Sequence, residues 1–219
     1  MDLDDGDLPR AWAVASSDPP GDRPGGHRSY GTVGGVFGGW KMGRVRSWEA
    51  RRSPRLVGYD YRQAGAYFVT VCTWGREPLL GEVVGGEMQL DAAGHAVQRA
   101  WETLPRRFPG VDLDAFVVMP NHVHGVLVLG GDPSLPPSIP TPSLSAVLRA
   151  FKSVAAIEGH RALDRAGQAF WQRSYHDHII RNNRALEQIR RYIVDNPACW
   201  DTDAENPSAP PTPHDPDPW

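Results

Sequence analysis

Val111 to Gly130 reads VDLDAFVVMPNHVHGVLVLG, two apolar runs rich in β-branched residues parted by Pro120-Asn121. Each run is long enough for a strand, and a Pro-Asn pair between them is a turn signal that makes the strands antiparallel neighbours. A helical pattern lies on either side. Upstream, Asp91 caps AAGHAVQRAWETLPRRF, in which Val97, Ala100, Trp101 and Leu104 share one face; downstream, Ser143 or Ser145 caps LSAVLRAFKSVAAIEGHRAL, with Leu144, Val147, Leu148, Phe151 and Val154 on one face.

Further out, AYFVTVCT (Ala66 to Thr73) reads as a strand and EVVGGEMQL as a short hairpin turning at Gly85-Gly86. RSYHDHIIRN reads as another strand, and Asn183 is expected to cap a last helix, RALEQIRRYIVDN, which Pro197 stops. The order is β, hairpin, α, β, β, α, β, α. An α+β fold accommodates it with short connections: a ferredoxin-like split βαβ antiparallel sheet with helices on one face, plus a C-terminal helix.

The remaining composition bounds the class. Of 219 residues, 23 are Gly and 21 are Pro, yet 40% are hydrophobic, enough for a core. The breakers concentrate in three places, which predicts a disordered Gly/Pro-rich segment over 1–43, one folded domain over 44–205 with a Pro-rich loop at 130–142, and a disordered Pro-rich tail over 206–219. No apolar run approaches the roughly 20 residues of a membrane helix, so no membrane partner is expected. The start, MDLDDGDLPR, lacks an apolar signal core, and Cys72 and Cys199 are too few for a disulfide scaffold, so the expected location is the cytoplasm.

The formal net charge of -3 conceals an asymmetry. Residues 1–22 hold six acids against Arg10 and residues 201–219 hold five against no base, which leaves 22 basic and 15 acidic residues between them. A body of +7 between acidic ends is compatible with a polyanionic partner without demanding one. Arg44, Arg46, Arg51, Arg52 and Arg55 precede the first strand, and Lys152, Arg173, Arg181 and Arg184 are expected around the site. Arginine grips phosphate bidentately and stacks on bases, which suits a folded single strand.

Chemistry is carried by few residues. On a strand, His122 and His124 point to one face and Val123 to the other, and two neutral imidazoles on a rigid strand hold a divalent cation while leaving positions open. His176 and His178 have the same spacing, so periodicity does not choose between the pairs. In the last helix Leu186, Ile189 and Ile193 form an apolar stripe, and Gln188, Tyr192 and Asn196 a polar one, which sets the Tyr192 phenol one turn from the Asn196 carboxamide. With six tyrosines in the chain, position alone selects none as a nucleophile.

Together, RSPRLVGYDYRQAGAYFVTVCT, VDLDAFVVMPNHVHGVLVL, SLSAVLRAFKS and FWQRSYHDHIIRNNRALEQIRRYIVDNPACW resemble the REP-associated tyrosine transposases, relatives of the smallest insertion-sequence transposases within the HUH endonuclease superfamily. The resemblance runs from about Ser53 to Pro207. It implies that His122 and His124 are the HUH pair, that Tyr192 is the nucleophile and that Asn196 is the third metal ligand. It further implies a Mg²⁺ or Mn²⁺ cofactor, a single-stranded DNA hairpin as partner, a 5′-phosphotyrosine intermediate, and a monomer rather than a homodimer. The alternatives are a domesticated hairpin-binding protein that does not cleave, and a phosphoesterase that uses water. A sheet that binds RNA is a weaker third, because the strands carry His where paired aromatics would be needed.

Overall fold

Strand β1, Gly65–Cys72, is buried along its whole length and lies inside a four-stranded sheet. The computed structural model describes residues 60, 61, 63–130, 136, 140–165 and 167–209. The segment 1–43, Arg44, Arg46, Arg51, Arg52, Arg55 and most of the loop 130–142 therefore lie outside the described residues. After β1 come the hairpin strands β2 (Gly81–Val84) and β3 (Glu87–Leu90), helix α1 (Ala92–Glu102) and the single turn α2 (Leu104–Arg107). Then follow β4 (Val111–Val118), β5 (His122–Leu129), α3 (Leu144–Ala162), β6 (His176–Ile180) and α4 (Asn183–Asp195). The chain continues into a 3₁₀ turn, Pro197–Thr202.

The sheet order is β4-β5-β1-β6, with every neighbour antiparallel. This is the split βαβ arrangement expected from the element order: β1 and β4 are joined through α1 with β5 inserted between them. The β2–β3 hairpin forms a separate two-stranded sheet, and its Gly85 and Gly86 both take positive φ (60° and 84°), the geometry that a tight two-residue hairpin turn requires.

Alternation along the strands separates two cores. Tyr67, Val69 and Val71 of β1 and Val123, Leu127 and Leu129 of β5 face α1 and α3, meeting Val97, Trp101, Leu148 and Phe151. The intervening residues Ala66, Phe68, Val126 and Val128 face the other way and are covered by Leu186 and Ile193 of α4. So α1 and α3 pack on one face, and the C-terminal helix packs alone on the other. Arg190 anchors it across β4: Nε donates to Asp114 Oδ1 at 2.8 Å and Nη2 to Oδ2 at 2.7 Å.

Caps begin the helices. Asp91 Oδ1 accepts from the Gly94 amide, and of the two serines it is Ser143 that caps α3. The cap of α4 is Asn182, not Asn183: its side chain accepts from the Ala185 amide while its backbone stays extended (φ -159°, ψ 164°), which makes Asn183 the first helical residue. Asn206, where the Pro-rich tail was expected to begin, donates its side-chain amide to the Trp200 carbonyl, and 210–219 lie outside the described residues. Among the described residues, no helix is long and apolar enough to cross a membrane.

Candidate active site and metal centre

The turn at Pro120-Asn121 delivers the chain into β5 so that its first residue, His122, is already on the α4 face. His122 is opposite Cys72 and His124 opposite Thr70 in the ladder. Both imidazoles are buried, His122 wholly and His124 to 3% exposure.

Their outer nitrogens are occupied. Asn121, itself fully buried, donates its Nδ2 to the carbonyls of Arg76 (3.1 Å) and Glu205 (2.7 Å). Its Oδ1 is thereby left to accept from His122 Nδ1 at 2.9 Å. A carboxamide oxygen cannot donate, so His122 holds its proton on Nδ1 and presents a bare lone pair on Nε2. The Thr70 hydroxyl bonds His124 Nδ1 at 2.9 Å, and the Phe68 ring stacks on His124 with centroids 5.3 Å apart. The two Nε2 atoms converge to 3.0 Å. Burial, with the Arg76 charge second, pushes His122 down to about 3, and burial with His122 beside it pushes His124 well below its usual value. Both rings are neutral at physiological pH, the form that ligates metals.

Helix α4 supplies the next two groups. The Tyr192 hydroxyl lies 3.3 Å from His124 Nε2, with its ring edge-on to Phe68. Burial, then the Asp203 charge, pushes the phenol up to about 12, while a hydrogen bond with Asn196 opposes them. Asn196, 2% exposed, hydrogen-bonds to both Tyr192 and Asp203, yet its Oδ1 has no partner. A buried carbonyl oxygen without a donor costs about 1–3 kcal/mol, and a cation would satisfy it.

The fifth group was not legible in the sequence. Asp203, counted there among the acids of a tail, is folded back by the 3₁₀ turn, and its carboxylate lies with the His122 and His124 ligand atoms within 4.8 Å of one another. Burial raises its pKa. The strap that carries it is pinned at Glu205, whose carboxylate meets Arg76 Nε at 2.9 Å and whose amide donates to Asp203 Oδ1. Cys72 also reaches this strap, its Sγ 3.5 Å from Glu205 Oε2, and burial pushes the thiol far up, so it stays protonated.

The donor set suits a small divalent cation. Two ligands about 2.1 Å from one ion and at right angles to each other stand about 3.0 Å apart, which is the spacing of the two Nε2 atoms. Asp203 and the orphaned Asn196 oxygen add the hard donors that Mg²⁺ and Mn²⁺ prefer.

The structure brings His122, His124, Tyr192 and Asn196 together and leaves Lys152, Arg173, Arg181 and Arg184 outside this cluster. Lys152 does not project to solvent: its ammonium donates to the carbonyls of Gln172, Arg173 and Ser174 (2.6, 3.0 and 3.4 Å), tying α3 to the segment before β6. Trp171 is buried in the larger core, and Trp200 lies against His122 at 6.1 Å. Arg173, Arg181 and Arg184 are exposed and make no ion pair among the described residues. The second histidine pair is not remote. His176 is opposite Thr70 and His178 opposite Phe68, so both are on the face of His124 with β1 between.

A family described as "Transposase IS200 like" matches residues 106–196, the segment that contains both histidines, Tyr192 and Asn196. An uncharacterized protein of Haemophilus influenzae is 36% identical over 166 residues, covering 70% of this chain and 91% of that one. Among solved structures, a REP-associated tyrosine transposase bound to a REP hairpin shares 24% identity and a TM-score of 0.45, covering 64% of this chain and 70% of that one. A transposase-like protein of Deinococcus radiodurans R1 shares 20% identity and a TM-score of 0.40, covering 65% of this chain and 97% of that one. The family match lies on the segment that builds the site, and a relative above one-third identity spans most of both chains: the protein belongs to the IS200-like transposases.

Proposed function

We propose that the protein is a metal-dependent single-strand DNA endonuclease and strand transferase that cuts at a hairpin through a tyrosine-linked intermediate. The observation that carries this reading is the Tyr192 hydroxyl, 3.3 Å from the Nε2 of His124, a histidine whose ligand atoms cluster with those of His122 and Asp203 in a set that could hold a metal ion. A water-using phosphoesterase has no need of a phenol at that place.

In the proposed reaction the Tyr192 oxygen attacks the scissile phosphorus, the bond from phosphorus to the 3′-oxygen breaks, and the phenolic proton leaves as the 3′-oxygen gains one. The products are a 5′-phosphotyrosine and a free 3′-hydroxyl. Because the phosphodiester energy is retained, reversal onto another 3′-end rejoins DNA without ATP. His122, His124, Asp203 and Asn196 would hold Mg²⁺ or Mn²⁺. The cation, when bound, withdraws charge from the phosphate oxygens and steadies the added negative charge of the transition state.

The chain's own residues do the rest. Helix α4 carries Tyr192 and Asn196 one turn apart, so nucleophile and ligand keep one relative geometry. The Arg190–Asp114 pair and the Leu186/Ile193 stripe seat that helix on the sheet. Phe68 limits the swing of the Tyr192 ring. In this reading 44–205 is the catalytic domain, the protein acts as a monomer, and Arg51, Arg52, Arg55, Arg173, Arg181 and Arg184 contact DNA.

The test is a covalent adduct. Protein, Mn²⁺ and a single-stranded oligonucleotide with a hairpin and its flanks give a product that survives denaturing electrophoresis, and Tyr192→Phe gives none while still binding. An adduct that persists in Tyr192→Phe removes the nucleophile assignment, and cleavage without any adduct in the wild type favours water.

A further inference from the structure

Cys72 ends β1, and the chain at once makes a tight turn, Trp74–Arg76, in which Gly75 and Arg76 both take positive φ (63° and 57°). Glycine accepts that conformation freely; arginine does not, because its Cβ crowds the carbonyl that follows. Among the described residues only Arg76 and Asp164 are non-glycine residues with positive φ. Backbone strain of this kind persists where surrounding contacts impose it, and it clusters at functional sites.

At Arg76 those contacts lead to the metal centre. The Thr73 amide and hydroxyl donate to the Asn121 carbonyl at 2.8 and 3.0 Å, and Asn121 Nδ2 donates back to the Arg76 carbonyl at 3.1 Å. The Arg76 side chain turns to the strap. Its Nε lies 2.9 Å from Glu205 Oε2, an ion pair without an aligned hydrogen bond, and its Nη1 donates to the Ala204 carbonyl at 3.5 Å. Asn121 Nδ2 also donates to the Glu205 carbonyl at 2.7 Å, so Arg76, Asn121 and Glu205 touch pairwise and close a ring. Two arms leave this ring. Asn121 Oδ1 accepts from His122 Nδ1, and the Glu205 amide donates to Asp203 Oδ1 at 2.6 Å. Arg76 also supplies the positive charge that lets two acids, Asp203 and Glu205, stand two residues apart in a half-buried strap.

We propose that Arg76 is a positioning residue of the metal centre: its carbonyl and its guanidinium together hold the strap against the start of β5, so that Asp203 and His122 share one cation. This rests on the transposase reading through its metal centre alone, and adds to it a residue that acts on the cation through others. The left-handed backbone at Arg76 is what points the carbonyl at Asn121 and the side chain at Glu205 from a single residue.

The experiment sets metal affinity against stability. Arg76→Gly relieves the backbone and removes the guanidinium, whereas Arg76→Lys keeps both the charge and the strain. Mn²⁺ affinity, read from the free-ion electron paramagnetic resonance signal, is expected to fall about ten- to one-hundred-fold in Arg76→Gly and by less in Arg76→Lys. The metal-free melting temperature of Arg76→Gly is expected to stay within about 4 °C of wild type. A residue that only built the turn gives the reverse order, with glycine the milder change. In an Asp203→Asn background Arg76→Gly is expected to cost little further affinity, because both changes act on one ligand. Should Arg76→Gly melt far below wild type, Glu205→Gln, which leaves the turn intact, carries the comparison: a ten-fold loss of Mn²⁺ affinity supports the proposal and wild-type affinity overturns it. Unchanged affinity in Arg76→Gly, or a loss that simply adds to that of Asp203→Asn, also overturns it and leaves the site reading standing. A wild-type protein that binds no Mn²⁺ overturns the metal centre itself, and the role of Arg76 with it.

Discussion

The Nε2 atoms of His122 and His124 lie 3.0 Å apart, and the opposite nitrogen of each ring is held by Asn121 or Thr70. With its Nδ1 donating to Asn121, His122 turns the Nε2 lone pair toward Nε2 of His124, and the two nitrogens are spaced to share one cation. Mn²⁺ should therefore bind with a stoichiometry of one, seen as loss of the free-ion electron paramagnetic resonance signal. At a hundred times its dissociation constant it should stabilise the fold by about 2.7 kcal/mol. Replacing both His122 and His124 by Ala should remove binding and stabilisation together; a wild-type melting temperature indifferent to Mn²⁺ would refute the centre.

The second prediction concerns the residues behind the ligands. Thr70→Val keeps shape and removes the hydroxyl that orients His124, so Mn²⁺ affinity should fall about ten- to one-hundred-fold with little loss of stability. Asn121→Ala should lower both affinity and stability, because it also removes the donor to the part-buried carbonyls of Arg76 and Glu205. Isothermal titration with Mn²⁺ beside thermal denaturation separates the two outcomes.

How far the sequence was readable depends on the range of each interaction. The period of two on β5 and the spacing of four on α4 are local, so the face of His122 and His124 and the pairing of Tyr192 with Asn196 were legible. That Asn182 and not Asn183 caps α4 turns on one residue's backbone angles, beyond what adjacent identical residues reveal. The place of His176 and His178 needed the strand order, since only β1 standing between β5 and β6 puts both pairs on one face. Asp203 was out of reach because contacts far apart in sequence, Asn121 and Arg76 with Glu205, fold its strap back.

That strap makes the third prediction. The structure puts Asp203 beside His122 and His124 and ties Glu205 to Arg76, so these two acids belong to the site and its strap. A chain ending at Thr202, and Asp203→Asn alone, should each lose at least about ten-fold in Mn²⁺ affinity, and the truncated chain should also melt lower. Unchanged Mn²⁺ affinity in Asp203→Asn would exclude the carboxylate from the centre.

The clasp between Arg190 and Asp114 has a pH signature. The Arg190 hydrogen bond holds the Asp114 carboxyl below its ordinary value despite partial burial, and the same bond raises Arg190. A lowered folded pKa gives stability that is present above the unfolded carboxylate value, about 4, and is lost as pH falls through the folded one. Asp114→Asn should cost about 1 kcal/mol at pH 7, given a partly exposed pair. In urea denaturation the gap from wild type should narrow steadily below pH 4; a gap constant down to pH 2 would show that the charge is not what seats α4.

Gly125 follows His124 directly on β5, and a Cβ there would sit 2.5 Å from Trp101 Cζ2 and 2.9 Å from Phe116 Cδ2. Those rings stack with centroids 4.5 Å apart and only 12° between planes, and Trp101 is also edge-on to Phe151, so neither ring has room to retreat. Gly125→Ala should then destabilise by about 1–3 kcal/mol through overpacking. Because the strand itself must shift away from Trp101, the displacement passes to the imidazole of His124, and Mn²⁺ affinity should fall although no ligand was touched. Trp101→Phe removes the ring atoms that the new methyl meets. The double variant should therefore recover metal affinity beyond the sum of the single effects. Strict additivity in both stability and Mn²⁺ binding would show that the close approach of Gly125 to Trp101 does not position the metal centre.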